Sequence, residues 1–115
     1  MKNLAILGST GVIGSKALEV VRDYPREFKV ISLACGHESE KFKEQITEFK
    51  PEISTVGEKD LVKAVSHPEI DLVIVAVVGT VGIKATLAAI KQKKNIGLAT
   101  KEVLVVAGEE VMKKQ

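Results

Sequence analysis

The sequence predicts an α/β domain, a parallel sheet with helices packed on both of its faces. Three observations carry that expectation. Short apolar runs that stop at glycine alternate with segments of helical periodicity. The hydrophobic share is 45% while aromatic residues make up only 3%, so the core must be built from Val, Ile, Leu and Ala. The run Asp71 to Val78 is apolar from Leu72 onward and has no polar face, as expected of a central strand buried on both sides.

The elements follow in order. Asn3 to Leu7 is a buried strand ending at Gly8. Ile13, Ala17, Val20, Val21 and Tyr24 recur at helical spacing, so Val12 to about Asp23 reads as an amphipathic helix. Pro25 helps end it by pushing the preceding residue out of the α region. Phe28 to Cys35 is a second strand, stopped by Gly36. Phe42, Ile46 and Phe49 mark a second helix closed by Pro51. Ile53 to Val56 is a weaker strand, followed by Gly57 and a short helix through Leu61, Val62 and Val65. After the central strand, Gly79 and Gly82 bracket a turn, and Ile83, Leu87 and Ile90 line the next helix. Asn95 to Ala99 is a fifth strand, and a last helical segment runs towards Val111 and Met112. This βαβα order calls for right-handed crossovers and a parallel sheet.

At 115 residues the chain has the size of one domain, and we read residues 1–115 as a single domain. Glu109 to Gln115 carry no domain-closing signal, so a longer parent protein is expected to continue there. The 17 basic and 15 acidic side chains are scattered. The one basic run, Lys91-Gln92-Lys93-Lys94, reads as a solvated helix end, which argues against nucleic acid as a partner. A single cysteine, Cys35, excludes an internal disulfide and suits a reducing compartment. With no signal-peptide pattern and no apolar stretch near the ~20 residues that span a bilayer, a cytoplasmic protein without a membrane partner is expected.

The spacing Gly8-x-x-Gly11-x-x-Gly14 falls between a strand and a helix, the context that makes a glycine pattern meaningful. Gly8 makes the tight turn, Gly11 lets a pyrophosphate approach the backbone, and Gly14 lets helix and sheet pack closely. The N–H groups near Gly11, Val12 and Ile13 then face the phosphate oxygens with the helix dipole behind them. Ser9 and Thr10 are expected to offer hydroxyls at the rim. No Gly-Lys-Ser or Gly-Lys-Thr follows, which excludes a P-loop. The fold class is therefore a Rossmann-like, doubly wound, three-layer α/β/α sheet, and the ligand a nicotinamide dinucleotide.

The tip of the second strand, Gly36-His37-Glu38-Ser39, is placed to read the adenosine ribose. Glu38 stands 24 positions after Gly14, where a carboxylate would accept from a ribose 2′-OH and favour NAD. His37 and Ser39 would instead receive the 2′-phosphate of NADP. The residues alone leave that choice open, and they also leave open an oxidoreductase module of another kind or a ligand-free scaffold on the same fold. His67, before Pro68, reads as a turn residue, Cys35 as a small buried hydrophobe, and no Asp/Glu/His cluster shows metal-ligand spacing.

Taken together, Ile6-Leu7-Gly8-Ser9-Thr10-Gly11-Val12-Ile13-Gly14, Ala34-Cys35-Gly36, Val78-Gly79-Thr80-Val81-Gly82, Leu87 to Lys91, and Leu98-Ala99-Thr100-Lys101-Glu102 resemble the N-terminal domain of the 1-deoxy-D-xylulose 5-phosphate reductoisomerases. The resemblance implies NADPH as cofactor, a divalent metal (magnesium or manganese), and isomerisation plus reduction of a sugar phosphate to 2-C-methyl-D-erythritol 4-phosphate in non-mevalonate isoprenoid synthesis. It puts Thr10, Gly11, Val12 and Ile13 on the pyrophosphate, and Gly36, His37 and Glu38 at the adenosine ribose. Thr100 and Glu102 fall near the nicotinamide, and Lys101 on the lysine that reaches the substrate.

Four positions depart from the family pattern: Val12 for a serine, His37 for Lys or Arg, Glu38 for Asn and Thr100 for Asn. The stretch between Pro51 and Ile53 is shortened by what the family fills with a helix and a strand. The resemblance also places the metal-binding carboxylates and the rest of the substrate pocket beyond this chain. It therefore implies an oxidoreductase parent, open to homodimer formation, of which this chain is a fragment or minimised form with no catalytic residue and no activity of its own.

Overall fold

The computed structural model describes residues 1–77, 80–99 and 104–106. β1 (Lys2–Leu7) passes through the Gly8 turn into α1 (Val12–Asp23), which returns the chain to β2 (Phe28–Cys35). Ser39 begins α2 (Glu40–Phe49): its hydroxyl accepts from Phe42 N–H at 3.2 Å, and Lys50 ends the helix in the left-handed region at φ 48°. Then come β3 (Ile53–Val56), a 3₁₀ turn (Glu58–Asp60), α3 (Leu61–Ala64), β4 (Leu72–Val75), α4 (Thr80–Lys91), β5 (Asn95–Ala99) and β6 (Leu104–Val106).

The six strands lie in the order β3-β2-β1-β4-β5-β6, with the first five parallel. That is the doubly wound order, with its reversal point between β1 and β4. At the end of β1, Leu7 pairs with Ala34 of β2 on one side and Val75 of β4 on the other. An extra residue in β2, Ile31, shifts the register between Leu4 and Ala5, a bulge that bends the sheet locally.

Alternation along each strand divides the core in two. Leu4, Ile6, Val30, Leu33 and Ile74 face α1 and α2, where Leu18, Val21 and Phe42 cover them. Ala5, Leu7, Ile31, Val73 and Val75 face α3 and α4, meeting Leu61, Val65, Ala85 and Ala89. Two apolar layers on one sheet are the three-layer α/β/α sandwich that the sequence predicts.

Several details differ from the sequence reading. β4 ends at Val75, although Ala76 N–H still donates to Leu7 C=O at 2.9 Å. In α1 the buried positions are Gly14, Ala17, Leu18 and Val21, while Val20 and Tyr24 are exposed. In α4 Ile83 and Leu87 point outward, and Ala85 and Ala89 are fully buried in their place. Small residues win because they let the helix axis approach the sheet closely. β6 differs from the helical segment that the sequence reading places after β5: it pairs antiparallel to β5, and the short apolar run Val103 to Ala107 fits a strand or a buried helix equally well by pattern. The helix expected towards Val111 and Met112 lies outside the described residues. No described helix is long and apolar enough to cross a membrane.

Candidate cofactor site

The glycine loop leaves the sheet at its reversal point. Gly8 has φ +84°, a conformation costly for any residue with a side chain, and a Cβ there would come within 2.8 Å of the Ala76 carbonyl oxygen. Gly8 and Ser9 N–H both donate to Ala34 C=O, at 2.8 and 3.0 Å, pinning the loop to the end of β2. Gly14 packs the helix onto this turn so tightly that a Cβ would sit 2.1 Å from the Gly8 carbonyl oxygen. Both glycines are therefore demanded by the fold itself.

Gly11 is different. Its backbone, at φ −74° and ψ 175°, is open to any residue. A Cβ there would meet one atom, the Gly8 oxygen, at an ordinary 3.6 Å. Packing gives no reason for glycine at this exposed position, whereas a ligand lying against the backbone does.

Gly11 is also the N-cap of α1, and it brings no side-chain cap and no acidic residue in the first turn. The partial positive charge at that end is thus left uncompensated, which suits an anion. By contrast α2, starting at the next strand end, has Ser39 as cap and Glu40 in its first turn. Gly11 N–H itself is not free, since it donates to Gly8 C=O at 3.2 Å, so the first-turn donors belong to Val12 and Ile13.

The expected rim hydroxyl of Ser9 is corrected by the structure. Ser9 is fully buried, held through its N–H by Ala34 and through its carbonyl by the side chain of Gln45, which donates from Nε2 at 2.9 Å. Thr10 and Ile13 are half-buried, and Val12 is 74% exposed at the helix start.

Gly36, His37 and Glu38 are exposed at the end of β2, beside the glycine loop. The Cys35 thiol donates to His37 C=O at 3.0 Å and so fixes the first bend of this tip. Burial pushes the Cys35 thiol above its usual range, which makes it a structural thiol and not a nucleophile. Thr100, Lys101 and Glu102 lie outside the described residues. The structure brings together the pyrophosphate and ribose candidates, then, and does not describe the nicotinamide end.

Two further features fall elsewhere. A cleft of about 290 Å³ runs between α1 and α2, from Ser15 and Lys41 to the forked Arg22–Glu48 ion pair. At the opposite end of the sheet Glu52, His67 and Glu69 converge to within 4.8 Å, a grouping that residue spacing did not reveal. Both His67 nitrogens are engaged there: Nδ1 accepts from Glu69 N–H at 3.0 Å and Nε2 meets Glu52 at 2.6 Å. The ring clamps one loop onto another, as befits a turn residue.

A model of the 1-deoxy-D-xylulose 5-phosphate reductoisomerase family matches residues 4–60 and 53–108. The reductoisomerase of Symbiobacterium thermophilum is 40% identical over 96% of this chain, and that of Pelodictyon phaeoclathratiforme 44% identical over 96%. The chain spans 35% of the length of each. A crystal structure of the reductoisomerase with NADPH, fosmidomycin and magnesium superposes with a TM-score of 0.80 at 32% identity, over 98% of this chain and 33% of that one. The Symbiobacterium alignment has 136 positions against about 110 residues here, so about 26 positions have no counterpart in this chain. The two matched stretches overlap at residues 53–60, next to the shortening after Pro51. A family match across nearly the whole chain and a shared fold lead to one conclusion: this chain belongs to the 1-deoxy-D-xylulose 5-phosphate reductoisomerase family.

Proposed function

We propose that residues 1–115 form the cofactor-binding domain of a reductoisomerase, and that the domain binds NADPH at the β1–α1 loop. The observation that carries this reading is Gly11, a glycine that the fold does not need, at the bare N-terminus of α1. Val12 and Ile13 N–H donate to the pyrophosphate, and Gly8, Ser9 and Thr10 set the loop's course. Gly36, His37 and Glu38 flank the adenosine ribose. Thr100 and Glu102 serve the nicotinamide end, and Lys101 the sugar phosphate. When bound, the dinucleotide supplies the hydride that reduces the rearranged sugar phosphate. The divalent metal and most of the substrate pocket belong to the remaining two-thirds of the relatives' length. The chain alone therefore binds cofactor without turnover, works in the cytoplasm, and leaves dimerisation to the parent enzyme.

Val at position 11 would place methyl groups where the pyrophosphate lies, while the backbone there accepts any residue. Calorimetric titration should show NADPH and NADH binding weakened at least tenfold in Gly11→Val, about 1.4 kcal/mol, with the melting temperature nearly unchanged. Equal affinity in the two proteins would rule out the phosphate-loop reading.

A further inference from the structure

The hydrogen bond between Gln45 and Ser9 joins residues 36 apart in the sequence, and it bears directly on the donors at the start of α1. Gln45 projects from the second turn of α2 and is only 7% exposed. Its Nε2 donates to Ser9 C=O at 2.9 Å, while the Ser15 hydroxyl reaches the same oxygen only at 3.4 Å. Gln45 Oε1 is buried with no hydrogen-bond partner among the described residues, as is Ser9 Oγ. A buried amide oxygen without a partner costs stability, so a side chain chosen for packing alone would be apolar here. The useful atom is Nε2.

Ser9 C=O stands four residues before Ile13 N–H, the spacing of an α-helical hydrogen bond. Were that carbonyl free to turn, α1 would extend backward and Ile13 N–H would be consumed internally. Held by Gln45, the carbonyl stays with α2, and α1 begins at Val12 with its first donors open. We propose that Gln45 is a positioning residue: it keeps the β1–α1 loop in its anion-accepting form by holding the Ser9 carbonyl away from Ile13. This rests on the NADPH reading above for its functional consequence, and on the loop geometry alone for its structural one.

The test uses the whole chain and two variants. Gln45→Met keeps the volume and loses the donor. Gln45→Glu keeps the reach but donates only when its carboxyl is protonated. In ligand-free Gln45→Met, amide signals from Ser9 to Ile13 should shift while those of α3 and β4 stay in place. Affinity for NADPH and NADH should fall by the same factor, about tenfold, because the pyrophosphate is common to both. Gln45→Glu should bind NADP⁺ weakly at pH 8 and recover towards wild type at pH 5.5, a recovery absent from Gln45→Met. If Gln45→Met melts early, the Glu variant carries the test within one folded protein. Unmoved loop signals, or wild-type affinity in Gln45→Met while Gly11→Val has lost it, would overturn the proposal. Failure of the wild type to bind either cofactor, with the loop signals still displaced, would instead remove the NADPH reading and leave Gln45's hold on the loop established.

Discussion

At the level of single residues, the three glycines of the loop look equivalent in sequence and differ in the structure. Gly8 and Gly14 answer to steric demands within the fold, at 2.8 and 2.1 Å, whereas Gly11 answers to none. Spacing alone gave the motif but not this division, because it depends on where Ala76 and the Gly8 carbonyl end up. Ser9 shows the same limit. Its carbonyl is held by Gln45, 36 residues away, and no local pattern reveals that partner. The strand-tip residues carry a sharper prediction. On the cofactor reading proposed above, His37 and Glu38 flank the adenosine 2′ position, and a carboxylate beside a dianionic 2′-phosphate is repulsive. At an exposed rim that repulsion is about 1 kcal/mol after screening. Preference for NADPH over NADH should therefore be slight. The double change His37→Lys, Glu38→Asn should tighten NADPH about fivefold or more and leave NADH nearly unchanged, as read by fluorescence titration. Equal effects on both cofactors would show that residues 37 and 38 do not touch the ribose.

Among the elements, α4 separates periodicity from burial most clearly. Ile83, Leu87 and Ile90 have helical spacing, and the sequence alone makes them the buried stripe. Ile90 does pack against the core, but Ala85 and Ala89, at 0% exposure, take the sheet-facing positions in place of Ile83 and Leu87, and Leu87 is 53% exposed. Hydropathy scales weight side-chain size, while close packing of a helix on a twisted sheet favours small residues. Ala89→Leu should therefore destabilise the chain by about 1–3 kcal/mol through overpacking. Leu87→Lys should stay within about 0.5 kcal/mol. Urea denaturation reads both, and the reverse ranking would place α4 the other way round. The strands were more legible: each apolar run from Asn3, Phe28, Ile53, Leu72 and Asn95 became a strand of the parallel sheet. β6 escaped because the run Val103 to Ala107 has no alternation, and a short continuous apolar run does not separate strand from buried helix.

Across the whole molecule, the two ends of the sheet divide the work. The carboxyl ends carry the exposed glycine loop and the β2 tip, while the opposite end is tied down. There Lys94, 8% exposed, donates from Nζ to His67 C=O at 2.7 Å and Ile70 C=O at 3.3 Å. Burial lowers its ammonium below the usual lysine range, and Asp71 offsets this only in part. The unfolded chain then holds this proton more tightly than the folded one, so stability should rise with pH as Lys94 approaches its ordinary titration near 10.5. Lys94→Met should lose that component of the rise on the approach to pH 10.5, and cost about 1–3 kcal/mol at neutral pH by leaving two carbonyls without their donor. Identical pH slopes for the two proteins would contradict the assignment. In the order β3-β2-β1-β4-β5-β6, the β1–β4 reversal point lies at the middle of the sheet and β3 at its edge.

The central claim, that this domain holds a dinucleotide across the ends of β1 and β2, is tested most directly by mapping amide chemical shifts during an NADPH titration. The largest changes should fall on Thr10 to Ile13 and on Gly36 to Glu38, with β3, α3 and the Lys94 corner silent. Saturating shifts centred on the α1–α2 cleft or on the Glu52–His67–Glu69 corner, or no shifts at millimolar NADPH, would contradict it.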